Sequence, residues 1–198
     1  MGCSGPDTMT PNSPSKRRFL VAASALGAGV LLSGHTPFRQ WVVLRQRFLL
    51  IHTNREDMGT DRLGDKLAAS LLEQLPSSRA RVVRGPDNAR IGSLMATDQA
   101  DVAVFSRANA AALAKAAPPF GELPATALRV LVEDAEYQLV CRESFPRHHG
   151  YLVAEALQRD ADSIGIVVPD RPVALEDGTL PTHAGALAFL RGEPLEPS

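Results

Sequence analysis

The chain has few aromatic residues and few cysteines, the residues needed for base-stacking surfaces and for disulfide-linked folds. Only 5% of its 198 residues are aromatic, and it has two cysteines. So few aromatic residues provide no platform on which nucleic-acid bases would stack. The formal net charge of −1 excludes the strongly basic surface that attracts nucleic acid or an anionic membrane. Cys3 lies before a hydrophobic segment and Cys141 far beyond it, so we expect no disulfide between them.

The motifs of common enzymes are also missing. The sequence contains no Gly-x-Ser-x-Gly elbow, no His-Glu-x-x-His, no phosphate-binding loop, and no Gly-x-Gly-x-x-Gly after its first apolar run. His148 and His149 are adjacent and point in different directions on a regular element, so no metal site is expected there. Cys141 ends an apolar run, which favours a buried strand cysteine; a nucleophile assisted by His148 or His149 is the alternative. We therefore expect no enzyme, no metal and no cofactor.

The N-terminal part has the pattern of an export signal. Residues 1–14 are rich in Gly, Ser, Pro and Thr and are predicted to be a disordered leader, within which Met9 is an alternative start. Residues 15–36 combine a basic stretch with an apolar run that is short for a transmembrane helix. The string Ser15–Leu20 resembles a twin-arginine signal, with Lys16 in place of the first arginine. No clear cleavage site follows, so the predicted location is periplasmic, with retention as an inner-membrane anchor as the alternative.

A single α/β domain is predicted for residues 47–192, after a linker at 37–46 and before a tail at 193–198. Apolar runs at Phe48–His52, Arg81–Val83 and Asp101–Phe105 predict three strands, each followed by a polar loop and a helical pattern. Strands without polar alternation, separated by helices, indicate a mostly parallel, doubly wound sheet that is covered on both faces.

The second half of this domain continues with strands and ends with helices. Leu128–Val132 and Tyr137–Cys141 predict a fourth and a fifth strand, and the short acidic turn between them favours an antiparallel hairpin or an offset neighbour over another βαβ unit. A helix is expected after Pro146–Gly150. The apolar run Ile164–Val168 predicts a short strand or extended segment, and Gly185–Leu190 predicts a last short helix.

Three polar loops follow the first three strands, at Thr53–Asp61, Gly85–Asn88 and Ser106–Asn109. Each leads into a helix, so free N–H groups and positive dipole ends are expected to converge at the carboxyl edge of the sheet, where they suit an anion. The predicted ligand-binding residues are Thr53, Asn54, Gly59, Thr60, Asn88, Ser106 and Arg107.

Several of these residues also have an ordinary structural interpretation, which for Asn88 is part of a helix cap. Thr53, Asn54 and Thr60 have the side chains of hydrogen-bond partners for a solute, and equally those of caps and turns. Gly59 permits close approach of a ligand to the backbone. Arg107 suits bidentate binding of a carboxylate, or simple solvation at the surface.

Several segments resemble the TAXI-type solute receptors of tripartite (TRAP) transporters, which have the type II periplasmic binding protein fold. The similar segments are the Gly59-Thr60 loop, Asp87–Ile91, Ala100–Val104, Leu128–Leu131 and Thr182–Phe189. The resemblance implies an extracytoplasmic solute-binding protein for a small anionic solute such as a dicarboxylate or an amino acid. It also implies that His183 caps or packs the last helix.

The chain is shorter than the resemblance requires. Such receptors clamp the ligand between two lobes, and here most of the second lobe is missing. The alternative function is therefore a truncated, non-binding accessory or interaction module of a membrane transport or sensing complex. Its partners would be transporter subunits or a second copy of the chain.

Overall fold

The computed structural model describes residues 1–2, 48–174 and 178–194. Contacts divide the chain into two units, Met1–Val42 and Val43–Ser198, and the fold below belongs to the second. The predicted signal or anchor at 15–36 and the linker at 37–46 lie outside the described residues. Within the part that is described, no helix is long and apolar enough to cross a membrane.

Strands and helices alternate through the first half of this unit. In chain order the elements are β1 (Leu50–Asn54), α1 (Met58–Gln74), β2 (Arg81–Gly85), α2 (Asn88–Ala96), β3 (Val102–Ser106), α3 (Arg107–Ala114), β4 (Leu128–Glu133), β5 (Tyr137–Arg142), α4 (Arg147–Gln158), α5 (Ala161–Ile164) and α6 (Ala184–Leu190). A short 3₁₀ turn at Pro76–Ser78 joins α1 to β2.

The five strands form one mixed sheet in the order β2-β1-β3-β5-β4. β1 pairs in parallel with both β2 and β3, whereas β5 is antiparallel to β3 and to β4. β4 therefore runs in the same direction as the first three strands, and its carboxyl end lies at the same edge as theirs. The α/β prediction is confirmed, and the architecture is compatible with a single lobe.

Both faces of the sheet are buried, as the apolar strands predict. Val102 and Val104 of β3 belong to a core that includes α1 and α4, while Ala103 and Phe105 belong to a second core with α2 and α3. In that second core, Phe105 meets Phe120 edge to face with ring centroids 6.1 Å apart. Alternate residues of one strand thus serve opposite helical layers, which explains why β3 has no polar alternation.

Some predicted boundaries are wrong. β1 extends to Asn54, so Thr53 and Asn54 belong to the strand instead of the following loop. The apolar pattern of the first helix includes both Leu71 and Leu72 and predicts that both are buried, but Leu72 is 49% exposed, since Leu71 occupies the buried position. The predicted strand Ile164–Val168 is reduced to one bridge at Val167, because Ile164 ends the short helix α5.

The C-terminal segment closes the outer edge of β4 at two places. Glu133 and Val167 exchange both backbone hydrogen bonds, at 2.9 and 2.8 Å. Nearer the start of β4, Val130 donates its N–H to Pro181 O, and its carbonyl oxygen accepts from the N–H of His183. These pairs satisfy backbone groups that an edge strand would otherwise expose.

Candidate functional site

The polar site lies where β3 and β4 end and β5 begins. Glu133 is the last residue of β4 and is only 5% exposed. Register places Gln138 of β5 beside Glu133 on one side and Phe105 of β3 on the other. We call Glu133, Gln138, Arg107 and Arg171 the Glu133 cluster, because the latter three side chains all donate to this carboxylate.

The two arginines hold Glu133 unequally. Arg171 is bidentate: its Nη1 donates to Oε1 at 2.8 Å and its Nη2 donates to Oε2 at 2.6 Å. Gln138 Nε2 donates to Oε2 at 2.8 Å. Arg107 reaches Oε2 only through Nη1, at 3.2 Å. The side chain of Arg171 is 18% exposed and that of Arg107 is 42% exposed, so Arg171 is the inner partner and Arg107 the outer one.

Glu133 is ionised in this environment. Burial acts to raise its pKa, but hydrogen bonds from Arg171 and Gln138 and the charges of Arg171 and Arg107 outweigh that effect. The pKa of Glu133 therefore lies below its ordinary value, as expected for a carboxylate with several donors. One buried carboxylate is shared between two guanidinium groups.

The N-termini of the first three helices are already capped by side chains. Asp57 caps α1 by accepting from the N–H groups of Gly59 and Thr60, and Asp87 caps α2 by accepting from Arg90 at 2.7 Å. These carboxylates occupy the positive ends of two helix dipoles.

Only α3 of these three helices has an uncharged cap. Ser106 Oγ accepts from the N–H of Asn109 at 3.3 Å, and Arg107 follows as the first helical residue. An anion is therefore favoured most at the N-terminus of α3, not at all three loops equally.

Three predicted ligand contacts, at the end of β1 and in the first turn of α1, are buried and bonded within the chain. Thr53 Oγ1 donates to Asp61, and Asn54 Oδ1 accepts from the N–H of Glu56. Thr60 Oγ1 lies 2.9 Å from Asp57 O and accepts from the N–H of Asn54 at 3.2 Å. These contacts match the cap-and-turn interpretation, and a role in ligand binding stays a prediction.

The group that approaches Gly59 closely in the structure is Tyr137, and the approach of a ligand to this glycine stays a prediction. A Cβ atom at position 59 would lie 2.1 Å from Tyr137 Oη, which itself donates to Asp57 Oδ1 at 3.1 Å. Burial, together with the neighbouring Asp57 carboxylate, raises the pKa of Tyr137 to about 12. The tyrosine thus stays a neutral donor that ties the start of α1 to β5.

Asn88 is set apart from the Glu133 cluster. It is the first residue of α2, and its Oδ1 is buried without a hydrogen-bond partner among the described residues. Ser106 and Arg107 are instead brought together with the turn between β4 and β5, because Arg107 donates its backbone N–H to Glu136 O and its Nη2 to Asp134 O.

Sequence reasoning missed three members of the cluster: Glu133, Gln138 and Arg171. Glu133 is an acidic residue that directly follows an apolar run, and Gln138 is a polar residue within one. Both patterns, visible in the sequence, indicate a polar side chain on a buried strand that needs a partner. Arg171 lies in a segment without periodicity, and only the fold brings it to the end of β4.

Other candidate residues have structural roles. Cys141 is fully buried, and burial raises the pKa of its thiol, so the alternative of a nucleophile is wrong. The rings of His148 and His149 lie in contact, with centroids 4.0 Å apart and planes tilted by 49°, so the expectation that they point in different directions is wrong. Among the residues that the structure describes, no group of three or more His, Cys, Asp or Glu side chains could hold a metal ion.

His183 is confirmed as the cap of the last helix. Its Nδ1 accepts from the N–H of Gly185 at 3.2 Å, and its Nε2 lies 2.9 Å from Phe145 O. A ring that accepts at Nδ1 and donates at Nε2 is neutral, and burial lowers the pKa of this histidine.

Comparison of the chain with protein-family models, with curated proteins and with solved structures found no match. The resemblance to TAXI-type receptors therefore rests on the sequence segments given above.

Proposed function

We propose that the chain is an extracytoplasmic solute-binding domain of the TAXI type that captures a small anionic solute for a TRAP transporter. The solute would be a dicarboxylate or an amino acid, bound through a carboxylate at Arg107. The observation that carries this proposal is the state of Arg107: its side chain is 42% exposed at the carboxyl edge, and it already binds a carboxylate there.

The surroundings of Arg107 support a carboxylate ligand. The residue begins α3, whose cap Ser106 is uncharged, so no capping carboxylate occupies the positive end of this helix dipole. The guanidinium group presents a planar set of donors that suits carboxylates. Because a single lobe covers the ligand on one side only, we expect weak binding unless a partner protein closes over it.

The second candidate is a non-binding accessory module in a membrane transport or sensing complex. It is favoured by the side chains of Thr53, Asn54 and Thr60, which are buried and bonded within the chain. They leave few polar groups at the end of β1 and the start of α1 for binding a solute. Met58, at the start of α1, is 75% exposed at the same edge and offers an apolar contact to a partner protein.

A thermal-shift screen separates the two functions. The panel would contain succinate, 2-oxoglutarate and glutamate at concentrations up to the millimolar range. A ligand present at a hundred times its dissociation constant stabilises the folded state by about 2.7 kcal/mol, which gives a measurable rise in Tm. We expect at least one of these anions to raise Tm and Arg107→Ala to abolish that rise.

Arg147→Ala is the matched control. Arg147 is also an exposed arginine with one acidic partner, Glu193, but it begins α4 at the other end of the sheet. This variant changes the net charge equally and should keep the response to the anion. If the wild-type protein is folded and no anion raises its Tm, that result contradicts solute capture and supports the accessory module.

A further inference from the structure

The Glu133 cluster contains two arginines whose bonds to one carboxylate differ in number, length and exposure. Arg171 makes two short bonds to Glu133 from a largely buried position, whereas Arg107 makes one bond to it, at 3.2 Å, from a position that is 42% exposed. Solvent therefore reaches Arg107 much more readily than it reaches the bidentate pair.

We propose that Arg107 is an exchangeable arm, which holds Glu133 in the free protein and binds the carboxylate of the solute in its place. This inference rests on the proposed function and adds that Glu133 is a built-in competitor for the ligand. Arg171 and Gln138 retain Glu133 in both states, so that ligand binding breaks the one bond from Arg107 to Glu133 instead of dismantling the site. The other bond of this guanidinium group, from Nη2 to the backbone oxygen of Asp134, is not part of the exchange.

Retention of Glu133 by Arg171 is what makes this exchange physically reasonable. A buried carboxylate that lost all of its partners would be strongly disfavoured. When Arg107 leaves, the carboxylate of Glu133 still accepts two bonds from Arg171 and one from Gln138. The exposed guanidinium group exchanges one carboxylate for another, and the buried charge stays compensated throughout.

The backbone around Arg171 supports its role as the fixed partner. Arg171 and Thr182 are joined by a bond from Thr182 N–H to Arg171 O at 2.7 Å, and Thr182 Oγ1 donates to Pro169 O at 2.7 Å. Thr182 also bridges to Val130 of β4. Arg171 is thus attached to the sheet, while the side chain of Arg107 extends from the first turn of α3 and is bonded, apart from Glu133, to the backbone oxygen of Asp134.

The decisive variant is Glu133→Gln, which keeps an acceptor for Arg171 and removes the competing charge. In a calorimetric titration with succinate, the dissociation constant of this variant should be about tenfold lower than that of the wild type. That factor corresponds to roughly 1.4 kcal/mol of binding free energy. The gain should disappear in the double variant Glu133→Gln/Arg107→Ala. A gain that persists there would reflect only a more positive surface and would overturn the inference.

Arg84→Ala is the control for charge at this edge of the sheet. Its side chain is also 42% exposed, and it pairs with the carboxylates of Asp61 and Asp65. Glu133→Gln should improve succinate binding by the same factor with or without Arg84. A gain that depends on Arg84 would contradict a specific exchange at Arg107.

The two proposals fail in different ways. If wild-type protein binds succinate through Arg107 but Glu133→Gln binds it no more tightly, the exchange is overturned and the proposed function stands. If neither protein binds any anion of the panel, both are overturned.

If Glu133→Gln does not fold, NMR of the wild-type protein tests the exchange through the side-chain N–H signals of the two arginines. The signal of Arg107 should shift on addition of succinate while that of Arg171 stays in place. A shift of both signals would mean that Glu133 is displaced entirely, which would overturn the inference.

Discussion

Glu133 and His183 are buried ionisable side chains that each fit the fold in one protonation state. Glu133 must be ionised, because it accepts from Arg107, Arg171 and Gln138. His183 must be neutral, because its Nδ1 accepts a hydrogen bond from the first turn of α6. The pKa of each group lies below its ordinary value, through compensating donors for the carboxylate and through burial for the imidazole.

The neutral state of His183 predicts a loss of stability in mild acid. Its pKa is lower in the folded than in the unfolded protein, so the unfolded chain binds more protons as the pH falls below about 6.5. The free energy of unfolding is therefore fully maintained above that pH and falls below it, by at most about 1.4 kcal/mol per pH unit for one group. Urea unfolding at several pH values between 7.5 and 5 measures this slope.

His183→Asn tests the assignment, because asparagine is a good N-cap but does not titrate. The variant should show a shallower dependence of stability on pH over the same interval. His149, whose pKa is also lowered by burial and by the neighbouring His148, contributes to the slope that remains. An unchanged slope in His183→Asn would assign the whole effect to other groups.

At the scale of elements, α4 and α6 approach each other through two glycines. A Cβ atom at Gly185 would lie 2.0 Å from the carbonyl oxygen of Arg147, and one at Gly150 would lie 2.0 Å from His183 Nδ1. The first obstacle is backbone and has no flexible end that could move aside. This contact positions α6, and hence the His183 cap, against the rest of the domain.

Gly185→Ala should therefore destabilise the protein by about 1–3 kcal/mol, the cost of forcing extra atoms into a well-packed contact. Urea unfolding with an unchanged m-value would measure it. Gly121→Ala is the control, because the nearest atom to its added Cβ is Ala116 O at 3.8 Å. The control should differ from the wild type by no more than about 0.5 kcal/mol. Equal stabilities of the two variants would mean that α4 and α6 separate at little cost.

At the scale of the whole molecule, the sheet lies between two apolar cores, and Cys141 belongs to the core that contains α1 and α4. The thiol of Cys141 is fully buried, and burial raises its pKa. Both properties suppress reaction with thiol reagents, because the thiolate is the reactive form.

A Cys3→Ser variant, in which Cys141 is the single thiol, should resist an aromatic disulfide reagent under native conditions. Labelling should become fast only at urea concentrations that unfold the domain. The urea concentration at half-maximal labelling rate should therefore coincide with the midpoint of unfolding. Fast labelling of the folded protein would show that the sheet opens locally at β5 without global unfolding.

The pattern of the chain was sufficient to predict the architecture. The runs at β1, β2 and β3 are apolar without alternation, and helical periodicity follows each of them, which is the signature of a parallel sheet buried on both faces. The short turn after Glu133 correctly predicted the antiparallel pair of β4 and β5. The boundaries of β1 and of the segment at Ile164–Val168 were wrong, because strand ends depend on which neighbours offer hydrogen bonds.

The sequence by itself determined the alternation of strands and helices and the buried strands, because these depend on local periodicity. The tertiary structure alone decided the Glu133 cluster. Arg107 and Arg171 are far apart along the chain and meet at one carboxylate only because β4 and β5 pair and the C-terminal segment returns to the edge of β4. A charge interaction between distant residues leaves no periodic trace, so its partners become known only when the fold brings them together.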